Sequence, residues 1–128
     1  MARLFGRKRK EERAHRILPK ERRGRQEYIV AAQSSVLSGE LKSMRVKLRG
    51  VVSSKPTFLT RYFAFPLSGG GHDHFVTFFL DKGVKVSFTG LISLREGEEV
   101  EVYGIVLKNG EVMAERIITE TGTFETRY

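Results

Sequence analysis

His72-Asp73-His74 is the one cluster of metal-ligating residue types in this chain. In an extended segment, two histidines two positions apart share a side and can reach one ion, but zinc takes three or four ligands. The remaining histidine, His15, lies far away in a basic stretch, so a polar loop tip is the better reading. Glu96, Glu98, Glu99 and Glu101 offer paired carboxylates. They line a turn and one side of the strand that follows, the pattern of a solvated acidic edge rather than an acid–base pair. Gly69-Gly70-Gly71 lacks the Lys-Ser/Thr that follows a phosphate-binding loop. No serine occupies a nucleophile elbow. The chain has no cysteine, which removes disulfides, thiolate catalysis and Cys-based zinc sites. Neither an enzyme nor a bound cofactor or metal is expected.

Binding chemistry is better represented. The 128 residues carry a formal charge of +8. Residues 1–26 hold 11 Lys/Arg against 3 Glu, a net +8, whereas residues 27–128 balance at 12 against 12. The excess therefore sits in an arm, in two clusters: Arg7, Lys8, Arg9 and Lys10, then Arg22, Arg23 and Arg25. With little apolar surface to offset chain entropy, the arm is expected to be disordered alone and to lie along nucleic-acid phosphates. A solubilising or targeting tail is the plainer alternative. No apolar run approaches the roughly 20 residues that span a bilayer, and the basic N-terminus lacks the apolar stretch of a secretory signal. A cytoplasmic protein with no membrane partner is expected. One Asn, two Gln and 30% charged residues lean toward a thermophile.

The elements that would position a site come from residues 44–119, where apolar and polar residues alternate as in half-buried strands. Residues 44–53 form a first strand, with Val46 and Leu48 on one side and Arg45, Lys47 and Arg49 on the other; Gly50 suggests a bulge or sharp bend. Residues 75–90 form a hairpin about Asp81-Lys82-Gly83, with Val76, Phe78, Leu80, Val84, Val86 and Phe88 as core. That leaves Phe75, Thr77, Phe79 and Lys85 on the outer side. Residues 99–107 and 111–119 form a second hairpin about Lys108-Asn109-Gly110, a strong turn signal. Residues 27–43 read as a short helix with Tyr28, Ala32 and Val36 on one face, or as an extended lead-in. Residues 54–74, aromatic and bracketed by Pro56 and Pro66, read as an edge strand or a folded loop, and could take a protein partner. Residues 120–128 are a C-terminal extension. The fold class expected is all-β: a five-stranded antiparallel barrel over 44–119 with a flexible basic tail.

The order of parts resembles the OB-fold superfamily. The residues that carry the likeness are Gly50 in the first strand, Phe78-Phe79-Leu80-Asp81 in the second, Phe88-Thr89-Gly90 closing the third, Val100 to Gly104 in the fourth, and Val112-Met113-Ala114 with Ile117 in the fifth. Val84 to Ile117 also resembles the OB-fold haem chaperone of cytochrome c maturation. That family attaches haem through a His after the last strand, and the stretch after Ile118, TETGTFETRY, has none.

The OB-fold resemblance implies binding of single-stranded nucleic acid. It implies a face in which Arg45, Lys47, Arg49 and Lys85 meet phosphates and Phe75 and Phe79 stack bases, with Arg61 and Tyr62 closing over the strand. RNA is favoured over DNA, in a ribosome- or ribonucleoprotein-associated role, by analogy with basic-tailed domains that thread into structured RNA. Two alternatives stay open. The cations could pair with acids across the sheet and the rings be covered, or the barrel could be a protein-interaction subunit of a larger assembly.

Overall fold

A computed structural model describes residues 20–23, 26–65 and 69–126. They form nine strands and one short helix: β1 (Lys20–Arg23), β2 (Gln26–Val30), α1 (Gln33–Leu37), β3 (Arg45–Val51), β4 (Thr57–Phe65), β5 (Gly69–Phe79), β6 (Lys85–Thr89), β7 (Glu99–Val106), β8 (Val112–Thr119) and β9 (Gly122–Glu125). The all-β class follows directly. The five-stranded antiparallel barrel is corrected to an open mixed sheet in the order β1-β2-β3-β7-β8-β6-β5-β4, with β9 also paired to β8. Two junctions, β2–β3 and β6–β8, are parallel.

The added strands have physical reasons. Residues 27–30 take the extended lead-in alternative, since Ile29 and Val30 find a parallel partner in Val46 and Lys47, and the helix is confined to residues 33–37. Lys20–Arg23, expected to be part of a disordered arm, pairs antiparallel with β2. Residues 1–19 lie outside the described residues. Residues 57–65 take the edge-strand alternative and pair along their length with β5. The extension contributes β9, and just past it the Thr126 hydroxyl donates to the carbonyl of Thr89 at 2.9 Å.

The alternation holds where it was clearest. Val46 and Leu48 on β3, Val76, Phe78 and Leu80 on and after β5, and Val84, Val86 and Phe88 on and before β6 are all buried in one core. A slip of one residue in any of these strands would turn its apolar set to solvent, so burial on one side locks the register. Val36 of α1 and Leu41 close one end of that core.

Gly50 does not mark a bulge: the β3–β7 ladder runs through it without a break. A side chain there would collide with Gln33, whose amide Nε2 would lie 2.7 Å from the new Cβ. The irregularity lies instead between Tyr103 and Gly104, opposite Glu115 of β8. There the backbones come too close for any Cβ on residue 104. The bulge also lets Glu115 and Arg116 both leave the core side of β8. Among the described residues no helix is long and apolar enough to cross a membrane.

Candidate functional site

Paired residues on adjacent strands present their side chains to the same side of a sheet. The register therefore assembles an outward face row by row. Leu59, Phe75 and Thr89 form one row, and Thr57, Thr77, Ser87 and Met113 the next; Phe79 and Lys85 stand opposite each other at the end. Leu59 is 59% exposed, Met113 47% and Phe79 43%, while Phe75 is half-buried. Lys85, also exposed, is the single charged residue these rows carry on β4, β5 and β6; beyond Met113 the second row runs on through Ile105 to Arg45 of β3. At the margin, the Ser87 hydroxyl donates to the Glu111 carboxylate. On β4, β5 and β6 this surface carries one charge, with aromatic and aliphatic side chains set between hydroxyls. β4 is exposed on its other side as well, through Phe58 and Tyr62.

The cations of β3 have a different fate. Lys47 bonds Glu21 of β1, stands 3.8 Å from Glu101, and lies over the Tyr103 ring at 5.5 Å from its centroid. The Glu21 hydrogen bond raises the Lys47 ammonium above its ordinary value, against burial, which acts the other way. Arg45 donates through Nε to Glu115 at 3.0 Å. The same carboxylate oxygen accepts the Tyr28 hydroxyl at 3.1 Å. Burial raises the Tyr28 phenol, and Glu115 beside it raises it further. Tyr28 meets Tyr103 edge to face at 5.1 Å, and the Tyr103 hydroxyl donates to Glu21 at 2.9 Å. The β1–β2 hairpin is thus fastened over the outer side of β3 and β7 by a mixed aromatic and ionic patch. Arg49 remains largely exposed, with its guanidinium 2.8 Å from Glu101.

The residues expected to form one binding face therefore fall into two groups. Phe75, Phe79 and Lys85 share a face. Arg45, Lys47 and Arg49 stand on β3, which lies across β7, β8 and β6 from β5 and meets it again where Val52 bridges Leu80 and the Ser53 N–H donates to the Phe79 carbonyl. Tyr62 is exposed on β4. Arg22 and Arg23 lie in β1 and Arg61 in β4, with side chains outside the described part. Arg7, Lys8, Arg9, Lys10 and Arg25 lie outside the described residues. Sequence reasoning missed Leu59 and Met113. Met113 was open to it, since Val112 and Ala114 flank it and face the core. Leu59 sits in a strand apolar on both sides, which hides the period. The His72-Asp73-His74 stretch falls in β5, where His74 Nδ1 lies 3.1 Å from the Thr60 hydroxyl. Among the described residues no group of three or more His, Asp or Glu is placed to hold a metal ion.

A concavity of about 1190 Å³ opens where β2 stops and β3 runs on. Ala31, Leu37, Arg49, Lys82, Glu99 and Ile118 are among its walls. At its base Gln33 stands in for the missing strand: its Nε2 donates to the Arg49 carbonyl at 3.0 Å and to Asp81 at 2.9 Å. Its Oε1 accepts the Lys82 N–H at 3.1 Å. Asp81 in turn accepts the Val51 N–H at 3.1 Å. The bond from Gln33, then that from Val51, holds the Asp81 carboxyl below the usual carboxylate range. The chain matches no protein-family model, no curated protein and no solved structure.

Proposed function

We propose that this chain binds single-stranded nucleic acid, RNA in preference to DNA, as a binding protein rather than an enzyme. The observation that carries the reading is the shared face of Leu59, Phe75, Phe79 and Lys85. Rings and aliphatic groups spaced along an exposed sheet face suit base stacking, each base contributing about 1–3 kcal/mol. The phosphates fall to the basic arm, which holds the whole +8 of the chain. The central strands support the OB-fold likeness. The Val52–Leu80 bridge returns β5 to β3, a partly open ring of the OB kind, and the second and third strands of that fold bind oligonucleotides. Here those strands are β5 and β6.

The test is fluorescence anisotropy on the full chain with oligo-U RNA, its DNA counterpart and a duplex. Phe79→Ala is expected to weaken RNA binding about 5- to 150-fold with the salt slope unchanged. Lys85→Ala should lower the slope by about 0.7. If Phe79→Ala and Leu59→Ser both leave affinity untouched, the face does not read nucleic acid.

A protein-interaction subunit is the second reading. It is favoured by the commitment of Arg45 and Lys47 to ion pairs, which leaves one charge on the aromatic face.

A further inference from the structure

The outward row that holds Phe79 and Lys85 does not end on β6. β6 and β8 run parallel, with Val86 beside Val112 and Ser87 beside Met113. One residue earlier on each chain segment, Lys85 and Glu111 therefore come side by side. Side chains alternate along a strand, so Glu111 shares the outer side with the exposed Met113. On that side the Ser87 hydroxyl donates to Oε1 of the Glu111 carboxylate. Phe79, Lys85 and Glu111 thus stand in line across three strands: a ring, an ammonium and a carboxylate.

Glu111 is held in place by its backbone as well. Its carbonyl accepts the Leu107 N–H at 2.7 Å, and its N–H donates to the Asn109 side chain at 3.0 Å. Among the described residues neither Lys85 nor Glu111 makes an ion pair. The carboxylate is therefore fixed at the edge of the stacking face with accepting capacity to spare. An ionised carboxylate only accepts hydrogen bonds, and an ammonium only donates them.

Unstacked bases in single-stranded RNA are read on their Watson–Crick edges. Guanine alone sets two donors side by side on that edge, N1–H and N2–H2, with the acceptor O6 beyond them. Uracil places its one donor between two carbonyls. Adenine and cytosine set an accepting ring nitrogen beside their amino group, and a carboxylate repels that nitrogen. Taking the face as an RNA-binding one, we propose that Glu111 and Lys85 select guanine. The carboxylate accepts N1–H and N2–H2, Lys85 donates to O6, and the base stacks on Phe79. Two strand spacings, roughly 10 Å, separate Phe79 from Glu111, a span that two fused rings and a hydrogen bond cover. The ammonium carries three donors, so meeting O6 leaves others for a phosphate.

Fluorescence anisotropy on the full chain tests this with short labelled RNAs: oligo-U, the same oligomer with alternate uridines replaced by guanosine, and that second oligomer with inosine for guanosine. Wild type is expected to bind the guanosine oligomer about 5- to 150-fold more tightly than oligo-U. Inosine lacks the N2 amino group and should lose most of that advantage, a readout that involves no change in the protein. Glu111→Gln can turn an NH2 group toward the guanine donors and should bring the ratio of the guanosine and oligo-U affinities close to one. Equal binding of the oligomers, an inosine oligomer that binds as tightly as guanosine, or a guanosine preference that survives Glu111→Gln overturns guanine selection while the face remains an RNA-binding one. A wild-type chain that binds none of the oligomers removes the RNA reading itself, and the selection with it.

Discussion

The side-chain amide of Gln33 donates to the carboxylate of Asp81 at 2.9 Å, and through that bond α1, the edge of β3 and the turn after β5 are tied together. Asp81→Ala leaves the Val51 N–H and one Gln33 donor without acceptors. It should lower the midpoint of urea denaturation. The pH dependence has a definite sign. The folded Asp81 carboxyl lies below its ordinary 3.8, so its contribution is complete above that value and is lost as pH falls through the lower folded value. Wild type should therefore lose stability below about pH 4 more steeply than Asp81→Asn.

On the far side of β3, Glu21 holds the β1–β2 hairpin through Lys47 and Tyr103. Glu21→Gln should cost about 1.5–3 kcal/mol. The amides of β1 and β2 should exchange faster while those of β5 and β6 do not change. Lys47 and Tyr28 both titrate above their ordinary 10.5 and 10.0 in the folded chain. Their contributions are complete below those values and are lost as pH rises through the raised ones. A spectrophotometric titration should show Tyr28 ionising above its ordinary 10.0, and Glu115→Gln should bring it down.

Gly104→Ala should be the more damaging of two glycine substitutions. Its Cβ would stand inside contact distance of the Met113 carbonyl and of Ala114, which are backbone and cannot swing away. A cost of about 1–3 kcal/mol or more is expected in calorimetry. Gly50→Ala meets the ends of Gln33 and Asp81, which can move, and should instead reproduce the Asp81→Ala phenotype.

Arg49 and Lys47 should separate in binding assays. Arg49→Ala removes an exposed guanidinium and should lower the salt slope for RNA by about 0.7, if it contacts phosphate, with little effect on stability. Lys47→Ala should lower stability and leave the slope unchanged, because its charge is already spent on Glu21.

The two hairpins were legible because alternation and turn chemistry agree. Gly83 and Gly110 hold φ values of 105° and 87°, which side-chain-bearing residues rarely adopt. β1 was not legible. Lys-Glu-Arg-Arg has no apolar alternation, and the strand exists because β2 pairs with it and Glu21 finds tertiary partners. Tyr103 points to the outer side, where a period of two predicts exposure, yet it is fully buried beneath that hairpin. The site divides in the same way. The outward placement of Phe79 and Lys85 follows from strand pattern alone. The ion pairs of Arg45 and Lys47 join residues 70 and 26 positions apart, a distance over which local pattern carries no information.

The ladder between β3 and β7 joins Arg45 to Ile105 and Val51 to Glu99. At roughly 5–20 residues per second, synthesis leaves β3 waiting about 3–10 s for its partner to emerge. Through that interval its edge is open and its Val46 and Leu48 are uncovered. The newborn chain is exposed to misassociation throughout that interval, and refolding of the finished chain, dominated by such distant pairings, should take milliseconds to seconds rather than microseconds.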